Sequence, residues 1–206
     1  MRKYGKIVLI IVLAFTLVFS LFACKTGAYW RGQGDDTRKQ DADIPTVNGS
    51  EKYIVFAALD SSGNLIASGS STETAAYAVV GYTGLVAELT IPAQYDSKNV
   101  TKVLVAAPYS AYKCYMNGAA YTGDDARLAN QTVVTSIVFG SNVAMVGAGV
   151  CAGMVNLASI KFGSASAVEL GDKAFSACTA LTTVTGSWAP ATGATPFFAS
   201  GYTPAP

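Results

Sequence analysis

The chain of 206 residues carries 14 Lys and Arg against 13 Asp and Glu, contains no His, and is 51% hydrophobic. A near-neutral chain with scattered basic residues lacks the cationic stripe that a phosphate backbone requires, which excludes nucleic acid as a partner. Without His the commonest general base and metal ligand are both missing. Neither Ser-His-Asp nor Cys-His machinery can be assembled, and the expectation is a non-enzymatic protein with no catalytic residue, no metal and no cofactor.

Arg2, Lys3 and Lys6 precede an apolar run over residues 7–23, which closes in Leu21-Phe22-Ala23-Cys24. A basic start, an apolar core and a small residue before a break are the parts of a secretory signal. An uncleaved membrane helix is the alternative, although a spanning helix uses about 20 apolar residues. The Leu-Phe-Ala-Cys ending resembles the lipobox of bacterial lipoprotein signals, departing from it at Phe22, where a small or branched residue is usual. That resemblance implies that 1–23 is a lipoprotein signal peptide and that Cys24 is the lipidated anchor to the membrane. The protein is then expected in the bacterial cell envelope, lipid-anchored and surface-exposed. Removal of 1–23 takes three basic residues and no acidic one, leaving a weakly acidic chain.

Residues 24–50 mix Gly32, Gly34, Asp35, Asp36, Arg38, Lys39, Asp41 and Asp43 with almost no apolar periodicity, which reads as a flexible tether. From Glu51 strand formers take over. Tyr53-Ile54-Val55-Phe56-Ala57-Ala58-Leu59, the turn residues Asp60-Ser61-Ser62-Gly63-Asn64 and then Leu65-Ile66-Ala67 predict a β-hairpin. A further strand is expected at Tyr77-Ala78-Val79-Val80-Gly81-Tyr82. The region 51–84 is thus read as a β-rich N-terminal cap on the remainder of the chain.

From residue 85 onward the chain is periodic. Ile137, Ile160 and Val184 are 23 and 24 residues apart, Leu157 and Leu181 are 24 apart, Gly147 and Gly171 are 24 apart, and Cys151, Phe175 and Phe198 are 24 and 23 apart. The segment VGAGVCAGMVNLASIKFG from Val146 overlays LGDKAFSACTALTTVTG from Leu170, with one residue fewer in the second strand, and an incomplete copy begins at Thr195. A period of 20 to 29 residues with Leu-x-x-Ile-x-Phe in each unit marks a leucine-rich repeat solenoid over 85–206. One unit cannot fold alone. Stacking Ile160 over Ile137, Phe162 over Phe139 and Leu181 over Leu157 buries side chains that contribute about 1.5 to 3 kcal/mol each.

The Phe175 copy, with Gly171, Ala174, Phe175, Cys178 and Leu181, resembles the BspA-like leucine-rich repeat and its Gly-x-x-Ala-Phe-x-x-Cys-x-x-Leu core. GYTGLVAELTIPAQYDSKNVTKV, from Gly81, is similar to the first repeat of that family. The Cys151 copy departs by placing Cys where Phe belongs and Met154 where Cys belongs. The pattern lapses between Tyr109 and Val133, which reads as either an irregular insertion, near 110–133, or a degenerate coil. The resemblance implies a BspA-like solenoid that is β-rich, with short strands and irregular or short helical turns, behind an N-terminal β-hairpin cap. It also implies a surface protein that adheres to host matrix or other cells by binding an extracellular or host protein.

Other motifs carry less. Gly147-x-Gly149-x-x-x-Gly153, with Glu169 beyond it, superficially matches a dinucleotide loop, but the sister copy spends the same phase on Gly171-Asp172-Lys173-Ala174, so a repeat turn is the better reading. Asp35-Asp36 and Asp124-Asp125 are solvated turns before they are calcium ligands. The sequons at Asn48, Asn99 and Asn130 matter only where a host glycosylates them. Tyr109, Tyr112, Tyr115 and Tyr121 crowd the irregular stretch as a candidate adhesive patch. Once Cys24 is set aside, Cys151 and Cys178 fall at different inward phases and are expected unpaired, with Cys114 as the third thiol.

Period-two alternation sends Ile137, Phe139, Ile160, Phe162 and Val184 inward. Val138, Lys161 and Thr185, flanked by Ser136, Ser159 and Thr183, then line an exposed sheet, which is the expected ligand-binding face of a repeat protein. A structural or assembly role in the envelope is the competing function.

Overall fold

The computed structural model describes residues 50–204, all within the unit Thr46–Pro206. The signal segment 1–23, Cys24, Asp35-Asp36, Asn48 and all of the 24–50 tether except Ser50 lie outside the described residues.

In chain order the strands are β1 (Ile54–Leu59), β2 (Ala76–Tyr82), β3 (Glu88–Ile91), β4 (Gln94–Tyr95), β5 (Lys98–Val103), β6 (Cys114–Met116), β7 (Ala119–Ala120), β8 (Ser136–Phe139), β9 (Met145–Val146), β10 (Ser159–Phe162), β11 (Val168–Leu170), β12 (Thr183–Thr185) and β13 (Trp188–Pro190). Helix is confined to single 3-10 turns at Glu51–Tyr53 and Tyr109–Ala111 among the described residues. The strands wind as a parallel β-solenoid of about five turns.

Each full coil supplies two strands and a turn, and each of the three stacks on its counterpart in the next coil. The first strands form a four-stranded parallel sheet in the order β12-β10-β8-β3. Its register puts Leu89, Ile137, Ile160 and Val184 in one column and Ile91, Phe139 and Phe162 in the next. The second strands form a parallel run β13-β11-β9-β5-β2. Sequence periodicity points mainly to the first sheet, because the strands of the second are two or three residues long in the later coils. The turns close the third side: the N–H groups of Gly149, Cys151 and Gly153 donate to the carbonyls of Asp172, Ala174 and Ser176, and those of Phe175 and Ala177 to Pro196 and Phe198.

Close stacking has a steric requirement that the glycines meet. A Cβ on Gly163 or Gly186 would drive into the carbonyl of Phe139 or Phe162 in the preceding coil. Gly163 follows the inward Phe162 and Gly186 follows the outward Thr185, in each case where the chain leaves its first strand and bends toward its second.

The core runs down the middle of the coils. Phe139 stacks on Phe162 at 5.0 Å and meets Phe175 edge-on at 6.3 Å, while Phe175 stacks on Phe197 at 5.6 Å. Phe197 is in turn covered edge-on by Trp188 and Tyr202, each at 5.0 Å. The phase expected for Phe198 is therefore corrected: Phe197 occupies the column and Phe198 is 60% exposed. The last coil is shorter than the others, so the aromatic side chain arrives one residue early.

The N-terminal end differs from the predicted hairpin. Leu65 and Ala67 form only isolated bridges, to Leu59 and Tyr112, and the ladder partner of β1 is β2, antiparallel from Leu59 opposite Ala76 to Ile54 opposite Tyr82. An unbroken apolar strand such as β1 is buried on both faces and needs long neighbours; Leu65-Ile66-Ala67, followed by Ser and Gly, is too short to serve. β2 continues the parallel run of second strands on its other side, pairing with β5. The sheet thus changes from parallel to antiparallel between β2 and β1.

The stretch where the repeat lapses extends this antiparallel end. The connection from β5 to β8 spans 104–135, whereas 147–158 and 171–182 suffice in the next two coils. Its extra length lays β6 against β1 and turns back as β7. Around it a second core gathers on the far face of β1 and β2, made of Val55, Ala57, Leu59, Ala78 and Val80 with Ala106, Tyr109, Cys114 and Ala126.

Candidate functional site

The outward side chains of the four-stranded sheet form two columns. Glu88, Ser136, Ser159 and Thr183 are in register along one, and Thr90, Val138, Lys161 and Thr185 along the other. Adjacent strands lie about 4.8 Å apart, so each column is a continuous strip. All six residues expected from sequence are on this face. Glu88, Lys161, Thr183 and Thr185 are exposed, and Thr90, Ser136, Val138 and Ser159 are half-buried among their neighbours.

Glu88 and Thr90 extend both columns by one coil, beyond the residues expected from sequence. The signal for them is present in Glu-Leu-Thr-Ile, which alternates as Ser-Ile-Val-Phe and Ser-Ile-Lys-Phe do. The face holds one cation and one carboxylate, in different columns and two strands apart. Lys161 makes no ion pair among the described residues, where Arg127 with Asp125 at 3.4 Å is the one pair present. Thr185 Oγ1 donates to the Ile160 carbonyl at 3.3 Å, and Ser50 Oγ sits 3.4 Å from the Thr90 N–H at the β3 edge. These contacts bind hydroxyls to backbone and leave the face shallow and free of mobile long side chains other than Glu88 and Lys161.

The tyrosine patch is overturned. Tyr109 is buried in the second core, its hydroxyl 3.4 Å from the Val80 carbonyl, with Tyr121 edge-on to it at 5.5 Å. Tyr112 packs against the same cluster, and Tyr115 packs on the main core beside Tyr77 at 6.2 Å. Tyr109, Tyr112 and Tyr121 fill space between the 104–135 excursion and the cap sheet while Tyr115 faces the main core, so the four do not present a common surface.

The glycine motif is equally structural. The N–H groups of Gly147, Gly149 and Gly153 are already donated to Val103, Asp172 and Ser176 carbonyls, so none is available to cradle a phosphate. No helix comes after it, and Glu169 stands in β11 on the other sheet. Asp124 and Asp125 are exposed, and no cluster of three His, Cys, Asp or Glu able to hold a metal occurs among the described residues.

Cys114, Cys151 and Cys178 are buried free thiols. Cys151 and Cys178 occupy the inward positions read from the repeat, and Cys178 Sγ donates to the Cys151 carbonyl at 3.2 Å. Burial raises the Cys114 and Cys178 thiols to about 11 and pushes Cys151 higher still. None of the three is poised as a nucleophile. Among the described residues no helix is long and apolar enough to cross a membrane. Comparison with known proteins adds no relative: no protein-family model, no curated protein and no solved structure matches the chain.

Proposed function

We propose that this is a cell-surface lipoprotein of a bacterial envelope, held by lipidated Cys24, that binds an extracellular or host protein through the exposed face of its four-stranded sheet. In this reading the solenoid is a short BspA-like leucine-rich repeat array and the role is adhesion. The observation that carries the binding assignment is the register-locked grid of Ser, Thr, Val, one Lys and one Glu on a rigid parallel sheet. Such a face desolvates at little cost, since hydroxyls can exchange water for a partner's groups and only two charges must be matched. It is broad and shallow, which suits a protein surface better than a small substrate. The signal-like segment before Cys24 supports export, and stable anchoring then needs the two or more acyl chains of a lipoprotein, because one chain is marginal.

The test has two arms in cells carrying the full-length protein. Protease added to intact cells should remove the repeat domain; a domain that resists until the envelope is opened would replace adhesion with the inward-facing structural role. Val138→Asp combined with Lys161→Glu should abolish adherence to immobilised matrix proteins that the wild type binds, with secondary structure unchanged. Retained wild-type adherence would remove the strip from the binding site. Cys24→Ser should leave unprocessed precursor, and normal cleavage with lipid labelling would end the lipobox reading.

A further inference from the structure

β6 and β7 are joined by Asn117-Gly118, a two-residue turn in which both residues have positive φ, 51° and 75°. Asn-Gly is the pair that suits this turn, because both positions require the left-handed region. It is also the pair in which a backbone nitrogen reaches a side-chain amide most easily, since glycine has no Cβ in the way. Both residues are exposed to water. The Gly118 N–H, however, is engaged: it donates to the Tyr95 hydroxyl at 3.2 Å. Tyr95 is buried and fixed, stacked on Phe56 at 3.9 Å and edge-on to Tyr77 at 5.0 Å.

We propose that Asn117-Gly118 is a latent self-modification site, deamidating through a cyclic imide, and that the Tyr95 hydroxyl is the latch that restrains it in the folded protein. The Gly118 nitrogen bonds to Asn117 Cγ while the Cγ–Nδ2 bond breaks, and Nδ2 departs as ammonia with the proton that the Gly118 nitrogen gives up. Water then adds to one imide carbonyl and opens the ring, yielding aspartate or isoaspartate with no change of oxidation state. The attacking nitrogen must first release the proton now held against Tyr95 Oη, and the flanking pairs Tyr115 with Ala120 and Met116 with Ala119 hold the turn in place. Reaction therefore waits on local opening of the hairpin.

The consequence reaches the cap. Isoaspartate inserts a methylene into the main chain of a two-residue turn, and both products add a negative charge there. Loss of the β6/β7 register would release the strand that pairs Phe56 with Tyr115 and Ala57 with Cys114 and so covers one side of the second core. Deamidation at Asn117 would thus act as a clock on the integrity of the N-terminal end.

The full-length protein is incubated at neutral pH and the tryptic peptide 114–127 is followed by mass spectrometry for conversion of amide to acid. Unfolded in urea, the wild type should convert at least about tenfold faster than the folded protein, the protection expected of an ordered turn that must open. Folded Tyr95→Phe should convert about fivefold faster than wild type, the factor one neutral hydrogen bond carries. Equal rates in folded and unfolded wild type would overturn the restraint. Tyr95→Phe at the wild-type rate would overturn the latch. If Tyr95→Phe lowers the melting temperature, the deciding measurement is wild type in low urea, where conversion must rise in step with exchange of the Gly118 amide hydrogen; divergence of the two rates would refute gating by that bond.

Discussion

Phe175→Ala tests whether the aromatic column holds the solenoid together coil by coil. Phe175 is fully buried, stacked on Phe197, edge-on to Phe139, and placed above the Cys151 phase of the preceding coil. Truncating a buried Phe costs about 3 to 5 kcal/mol, through lost transfer energy and the cavity left behind. The loss here belongs at the upper end, since two aromatic pairs vanish and such pairs are worth about 0.5 to 1.5 kcal/mol each. Neighbouring backbone limits collapse into the cavity, because the turns on either side are tied by the bonds from Cys151 to Ala174 and from Phe175 to Pro196. In a stack governed by nearest neighbours the damage should be local. Urea unfolding followed by circular dichroism gives the magnitude, and amide hydrogen exchange gives the place. Protection should fall at Val168–Leu170 and Trp188–Pro190 and persist at Ile54–Leu59. A cost below about 1 kcal/mol, or a uniform loss of protection through the cap, would refute the column as the organising feature.

Ala177 is exposed with φ at +56° in the phase that Gly153 fills one coil earlier, so Ala177→Gly should raise stability by about 0.5 to 1 kcal/mol, read as a higher urea midpoint; a drop would show that the turn gains more from Ala than it loses to strain. The three buried thiols should resist a thiol reagent in the folded protein and all react once the protein is denatured without reduction, whereas a peptide linking Cys151 to Cys178 would refute the phase assignment. Asp172 accepts the Thr195 N–H at 3.0 Å and its hydroxyl at 2.9 Å, and the backbone bond foremost holds its carboxyl below the usual range. Its contribution to stability is present above the unfolded-state pKa and is lost as pH falls through the lower folded value, so Asp172→Asn should flatten the acid limb of melting temperature against pH; an unchanged limb would count against the bond.

The inward half of each first strand is legible in the sequence because one physical signal repeats. Ile137, Ile160 and Val184 recur at the coil period and parallel stacking turns that recurrence into register, while Leu89 joins their column from across the longer 104–135 excursion. The second strands are harder to read. Met145-Val146 and Val168-Glu169-Leu170 are too short to show alternation, and only the shared phase of Val146 and Leu170 betrays them. The cap misleads for a related reason: local sequence pairs β1 with the nearest apolar triplet, 65–67, when its unbroken apolar run demands long partners at both edges and cover on both faces. Those partners come from β2 and from the 104–135 excursion, which are remote in sequence and carry no periodic mark.

The tyrosines show why composition misleads where phase does not. Four Tyr in a stretch without repeats suggest a surface, because nothing periodic claims them for a core. Yet an excursion that leaves the coil must bury something against the sheet it crosses, and β2 offers an apolar outer face at Ala78 and Val80. Tyr suits that interface because its ring fills the gap while its hydroxyl reaches a backbone carbonyl, as Tyr109 does toward Val80. On the four-stranded sheet the opposite logic holds. Lys161 stands between Ile160 and Phe162, both buried, and projects to the other side of the same backbone. Coil packing fixes the identity of the inward pair and places no demand on Lys161 beyond compatibility with a strand. Substitution there is expected to stay within about 0.5 kcal/mol of wild-type stability. A change in binding on Lys161→Glu would therefore report on the surface and not on the fold.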